Sequence, residues 1–170
     1  KKLLNGAGIQ SGDFVPFLVP RSEWYPLLNL GILSVGAIYV PLDDIHPDER
    51  LKFILNDIDS RVLIVTDDTY ERAKALSDDL ILINVSNIVK EDIGTLSYLE
   101  YEYGDLVSVH YTSGSTGVPK GVLGRRKAIT NLCQYYIDNY DLDSHDVYGL
   151  HTAIGFDVSI FVIAVSIIAG

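Results

Sequence analysis

Short apolar runs of strand length alternate with amphipathic stretches along this chain, and that alternation constrains the fold more than any other feature. The runs are Phe14 to Val19 (FVPFLV), Ile38 to Asp43 (IYVPLD), Arg61 to Thr66 (RVLIVT), Leu80 to Val85 (LILINV) and Leu106 to Tyr111 (LVSVHY). Nearly continuous apolar segments of this length suit strands covered on both faces, as in a parallel sheet. Pro16 has no N–H to donate, which demotes the first run toward an edge or irregular strand. Between the runs, Trp24, Leu27, Leu28, Ile32 and Val35 form a helical pattern that Gly36 stops, entered through Pro20-Arg21-Ser22. Leu51, Ile54, Leu55 and Ile58 form another, with Pro47 at the first helical position and acidic residues behind it. Tyr70 to Leu76 and residues 127 to 139 read as further helices. Lys120 to Leu123 and Val147 to His151 read as short strands, and residues 86 to 104 as a polar surface connection. Strand and helix in alternation predict an α/β fold with a mostly parallel β-sheet flanked by helices.

Composition narrows the function. The chain has 170 residues, enough for one domain with a core and too few for two comfortable ones. A formal net charge of −10 excludes a generic nucleic-acid binder, which needs a basic face for phosphates. The one basic cluster, Arg125-Arg126-Lys127, reads as a solvated helix start. Cys133 is the only cysteine, so an intramolecular disulfide and a thiolate metal cluster are both excluded, and the thiol reads as buried and inert. The closing run VSIFVIAVSIIAG has 13 uncharged residues. It falls short of the roughly 20 that cross a bilayer, and reads as a buried helix. No secretory start is present, which suits a cytoplasmic protein without a membrane segment. The first residues already look helical, without a capping residue, and the last run ends with nothing after it. Together they suggest a piece of a longer protein.

The chemistry concentrates in Tyr111 to Val122, YTSGSTGVPKGV. Thr112, Ser113, Ser115 and Thr116 offer hydroxyls, Gly114, Gly117 and Gly121 offer close backbone approach, and Lys120 offers a cation. Glycines let N–H groups converge on an anion, hydroxyls add neutral donors, and lysine supplies a point charge. Carried on the end of a buried strand, the combination is a polyphosphate cradle. It is not the P-loop, because Lys120 stands between Pro119 and Gly121, and no dinucleotide fingerprint is present. A flexible Ser/Gly linker is the plain alternative, but a linker has no reason to return at once to an apolar strand.

YTSGSTGVPKGV resembles the signature loop of the adenylate-forming superfamily: acyl-CoA synthetases, luciferases and the adenylation domains of nonribosomal peptide synthetases. Gly36 to Leu51, GAIYVPLDDIHPDERL, is similar to an adenylation-domain segment, with Asp44 replacing a usual Pro and His46 a usual aromatic residue. Phe156 to Ser159, FDVS, is similar to the FDxS segment of amino-acid-activating members. The resemblance implies part of the large N-terminal domain of such an enzyme over residues 1–170, with the C-terminal domain absent. It implies that Thr112, Ser113, Gly114, Ser115, Thr116, Gly117 and Lys120 handle the ATP phosphates, with Mg²⁺ screening their charge. Asp157 would pair with a substrate ammonium, with Val158 and Phe161 lining the side-chain end of the pocket. From the residues alone, Asp157 reads rather as a helix N-cap, and only the resemblance favours the substrate role. The chain ligates no metal of its own in this reading, and it carries no catalytic residue of the family's later motifs.

The implied product is an aminoacyl-adenylate plus pyrophosphate, and the implied partners are an amino acid or other carboxylate and a carrier domain bearing phosphopantetheine. An acyl-CoA or aryl-CoA ligase, or a noncatalytic remnant of the fold, are the alternatives. Neither GVLGRR, similar to a run in aminoadipate-reductase relatives, nor Phe161-Val162, where Trp-Glu is usual, fixes a subfamily. His110 reads as a strand-end core histidine and His151 as a residue close before the pocket segment. The isolated chain should fold marginally, with apolar surface on its last helix, and should lack activity. Amino-acid-dependent ATP–pyrophosphate exchange on the 170-residue chain should therefore read background; clear turnover would contradict this expectation.

Overall fold

All five apolar runs become strands and the amphipathic stretches become helices in the computed structural model, which describes residues 2–88, 106–114 and 117–170. The chain divides into two compact units, Lys1–Tyr101 and Glu102–Gly170. Their boundary falls in the stretch 86–104, which from residue 89 onward lies outside the described residues.

In the first unit, α1 (Lys2–Gly6) precedes β1 (Phe14–Leu18), α2 (Trp24–Leu33), β2 (Ile38–Leu42), α3 (Asp48–Asp57), β3 (Val62–Val65), α4 (Asp67–Lys74) and β4 (Ile81–Asn84). The strands lie in the order β4-β3-β1-β2, all pairings parallel. β1 is thus a central strand, not the edge strand that Pro16 suggested. The Asp13 carbonyl accepts from the Ile38 N–H on the β2 side, while the Phe14 carbonyl accepts from Ser60 Oγ on the β3 side. Alternation along the strand aims Pro16 toward β3, where pairing is confined to Phe17 with Ile64 and Leu18 with Val65. The missing N–H falls where the ladder has not yet begun.

The sheet's side chains build the core: Val15, Phe17, Leu18, Val40, Leu42, Leu63 and Ile64 are fully buried. Each such aliphatic or aromatic side chain contributes about 1.5–3 kcal/mol. α2 buries Leu28 and Ile32 as expected, but Tyr25 and Asn29 rather than Trp24 and Leu27 complete its inward face, and Leu27 is 54% exposed. WYPLLNLGIL is apolar on nearly every side, so periodicity alone does not choose its inward face. Tyr25 meets Phe17 edge-on, with ring centroids 5.2 Å apart. α3 buries Leu51, Ile54 and Leu55 as expected, but Pro47 stands at its N-cap rather than its first turn.

Two polar ties fix the strand ends. The Thr66 N–H donates to Thr69 Oγ1 (3.1 Å), and the Thr69 hydroxyl donates to the Leu18 carbonyl (2.6 Å), coupling the start of α4 to β1. Arg72 on α4 reaches back to the β2–α3 loop. Its Nε and Nη2 engage Asp48 Oδ1 at 2.8 and 2.7 Å, and its guanidinium also donates to the carbonyls of Asp44 and His46.

In the second unit, β5 (Leu106–Thr112) and β6 (Lys120–Arg125) pair antiparallel, followed by α5 (Arg126–Tyr140) and α6 (Asp157–Ile168). Val147 to His151 is irregular, not a strand. Val147 is 97% exposed, and the His151 N–H turns back to the Gly149 carbonyl at 3.1 Å, so the segment bends where a strand must extend. Cys133 is buried on α5, and burial pushes its thiol pKa up, consistent with an inert thiol. α6 buries Ser159, Ile160, Ile163 and Val165 and exposes Val158, Ile167 and Ile168. Among the described residues, no helix is long and apolar enough to cross a membrane.

Thr69→Val keeps the volume but removes both the acceptor for Thr66 and the donor to Leu18. The change should destabilise the fold by about 1–3 kcal/mol, the cost of unmet buried polar groups. Urea unfolding of the two proteins checks it through a lower midpoint at unchanged slope; equal midpoints would remove Thr69 from any structural part.

Candidate functional site

The glycine-rich segment is held at both ends by one antiparallel pair. His110 lies opposite Val122, Tyr111 opposite Gly121 and Thr112 opposite Lys120, so the segment between Thr112 and Lys120 is closed as a hairpin connection. The Gly117 N–H donates to the Gly114 carbonyl at 3.0 Å, and Gly117 has φ +81°, the left-handed region that glycine enters without strain. A Cβ on Gly114 would stand 2.4 Å from the Val118 carbonyl oxygen and 3.3 Å from both Cγ and Cε of Lys120. Only a glycine there lets the chain fold back on itself with the lysine stem laid across the turn. Thr112, Ser113, Gly117 and Lys120 are exposed, which leaves hydroxyls and the ammonium open to an anion arriving from solvent. Ser115 and Thr116 lie outside the described residues.

Asp157 opens α6 as its first helical residue, with Phe156 at the N-cap, so the N-cap alternative does not apply. Asp157 is exposed rather than buried against the apolar helix. Its carboxylate therefore carries no burial cost, contrary to what a lone charge ahead of an apolar run suggests. Val158 is also exposed, and Phe161 is half-buried against Tyr136, with ring centroids 4.5 Å apart. Residues 157 and 161 are one turn apart and 158 lies three before 161, so the three share a helix face. The start of α6 is anchored by Ser159, whose hydroxyl lies within donating distance of the Phe156 (2.7 Å) and Ile154 (2.9 Å) carbonyls.

His110, on the strand that feeds the loop, is 3% exposed. Burial pushes its pKa down to about 4, against an opposing pull from the nearby Asp157 carboxylate. It is the neutral core histidine that the sequence suggested. His151, by contrast, is exposed. The aromatic contact between Tyr136 and Phe161 went unread in the sequence. Its only signal was the spacing of Tyr136 and Tyr140 on one helix face.

A family model described as AMP-binding enzyme matches residues 2–170. The chain belongs to that family. Vanchrobactin synthetase VabF of Vibrio anguillarum is 36% identical over 165 residues, which cover 94% of this chain and 6% of that protein. Enterobactin synthase component F of Escherichia coli (strain K12) is 33% identical over 168 residues, covering 99% of this chain and 13% of that protein. Among solved structures, the four-domain nonribosomal peptide synthetase holo-AB3403, bound to AMP and glycine, matches with a TM-score of 0.80 and 27% identity. That match covers 99% of this chain and 12% of the synthetase. The inhibitor-bound N-terminal domain of FACL13 from Mycobacterium tuberculosis matches with a TM-score of 0.85 at 23% identity, over 99% of this chain and 45% of that one. This last likeness is one of fold. Within the family of adenylate-forming ligases, the chain is most like the adenylation domains of nonribosomal peptide synthetases and spans a small part of those proteins.

The buried His110 gives a pH signature. Between the ordinary value of 6.5 and its folded value of about 4, the unfolded chain holds a proton on this residue that the folded one lacks. Stability should therefore fall as pH drops through that window, by about 3 kcal/mol in total from this group. His110→Leu should flatten that slope, measured as the difference in urea unfolding free energy between pH 7 and pH 4.5. Parallel losses in both proteins would contradict a buried neutral imidazole.

Proposed function

We propose that the parent protein uses ATP to activate the carboxylate of an amino acid, forming an aminoacyl-adenylate and pyrophosphate. The adenylate is then passed to the phosphopantetheine thiol of a carrier domain. The observation that carries the reading is the pairing of Thr112 with Lys120 and the close approach at Gly114, with the Thr112 and Ser113 hydroxyls and the lysine toward solvent. Thr112, Ser113, Gly114, Ser115, Thr116, Gly117 and Lys120 hold the β- and γ-phosphates in this reading. When the substrate carboxylate attacks the α-phosphate, negative charge builds on the departing pyrophosphate. Donors already fixed around that position stabilise it without reorganising.

Mg²⁺ supplies further screening of the phosphate charge. Among the described residues, no cluster of His, Cys, Asp or Glu could hold a metal, so no step is assigned to this chain's carboxylates as ligands. Asp157 receives the substrate ammonium. An exposed carboxylate at the first turn of a helix is desolvated only when its cation arrives, which favours an ion pair formed on binding over one fixed beforehand. Val158 and Phe161, both apolar, suit a substrate side chain without strong charge. A cytoplasmic setting, where ATP is available, fits this chemistry.

Asp157 separates this reading from an acyl-CoA or aryl-CoA ligase, in which it has no part. In the full-length parent, Asp157→Ala should reduce kcat/KM for the amino acid by about 10- to 100-fold in ATP–pyrophosphate exchange, the value of a charge-assisted contact. KM for ATP should stay near the parent's. Unaltered exchange would favour the CoA-ligase reading, and no exchange with any carboxylate in the parent would favour a noncatalytic remnant.

A further inference from the structure

Phe161 has a neighbour that nothing in the proposed chemistry uses. Its ring lies 4.5 Å from that of Tyr136 on α5, tilted by 51°. Tyr136 is itself held from two other directions. Tyr140, one turn along, stacks on it at 5.4 Å with the planes 17° apart, and Tyr135 meets it edge-on at 5.7 Å and 80°. Four rings therefore form one contact set, and only Phe161 belongs to α6.

We propose that Tyr136 is a specificity-positioning residue, a fixed backing that stops Phe161 from swinging toward α5 and so sets how much room the substrate side chain has. The inference rests on the reading that Phe161 lines the substrate pocket and names what holds it there. Asp157 and Val158 are the residues four and three before Phe161, so the ammonium partner and the side-chain wall share one helix face. A substrate anchored at Asp157 projects its side chain along that face and meets the Phe161 ring. Whether the ring yields depends on what stands behind it. A phenylalanine has few torsions, and with a ring behind it packed on two more, retreat requires the whole stack to part. Tyr136 never touches the substrate in this arrangement; it acts through Phe161 alone. The site accordingly takes apolar side chains up to a limit set by the stack.

The test uses the full-length parent and ATP–pyrophosphate exchange with alanine, valine, leucine and phenylalanine as probes. Tyr136→Leu removes the backing, and the kcat/KM ratio of larger to smaller accepted side chains should rise about three- to tenfold, the worth of one aromatic pair. The change should sit in KM for the amino acid, with kcat for the preferred substrate and KM for ATP near the parent's values. Tyr136→Phe keeps the ring and should behave as the parent. Tyr140→Leu, at a residue 63% exposed, loosens the stack without threatening the fold and should shift the ratio the same way, but less. It decides the matter if Tyr136→Leu does not fold.

Phe161→Ala is the control. If it leaves the profile unchanged, Phe161 does not line the pocket and the reading beneath the inference fails. If it alters the profile while Tyr136→Leu and Tyr140→Leu do not, the bracing is wrong and the reading stands. Uniform slowing of all four substrates by Tyr136→Leu would also overturn the proposal, since a purely structural residue does that.

Discussion

Thr112 and Lys120 face each other across an antiparallel pair, and the candidate site depends on that pairing. It reverses the chain direction between the two strands and brings the lysine beside Gly114. The reversal in turn demands Gly114, because any side chain would collide with the Val118 carbonyl. The hydroxyls of Thr112 and Ser113 and the lysine stand exposed beside it.

Beneath it, β5 buries Val107, Ser108, Val109 and His110. A strand buried so fully is a rigid mount, and rigidity matters where donors must wait in position for charge that develops later. His110 contributes to that rigidity in its neutral form, at the expense of acid stability. The first unit shows a similar economy, with Thr69 making one hydroxyl serve as acceptor for Thr66 and donor to Leu18.

Much of this was legible in the sequence, for reasons that can be named. β3 and β4 stood out because apolar runs bounded by polar residues have few alternatives, and the loop stood out because glycines, hydroxyls and a lysine rarely converge by chance. The failures are equally specific. Pro16 misled because a missing donor matters only on the side where a ladder exists, and pairing partners are not written in a strand's own residues. Leu28 and Ile32 face inward as read, while Trp24 and Leu27 misled because a helix apolar on most sides marks the limits of its inward face poorly. Val147 to His151 looked like a strand by composition, but nothing pairs with it among the described residues. The exposure of Asp157 and the stack behind Phe161 depend on how α5 and α6 meet, which no local pattern encodes.

The grip of Arg72 on the β2–α3 loop has a different kind of consequence. Two of its contacts are to main-chain carbonyls, at Asp44 and His46, which every amino acid supplies. The loop's course is therefore specified from 24 to 28 residues downstream, while the side chains at those two positions are left unread by the clasp. Both are places where this chain departs from the residues usual in adenylation domains. Sequence drift there is cheap because the instruction for the turn is stored elsewhere, in one guanidinium on a neighbouring helix.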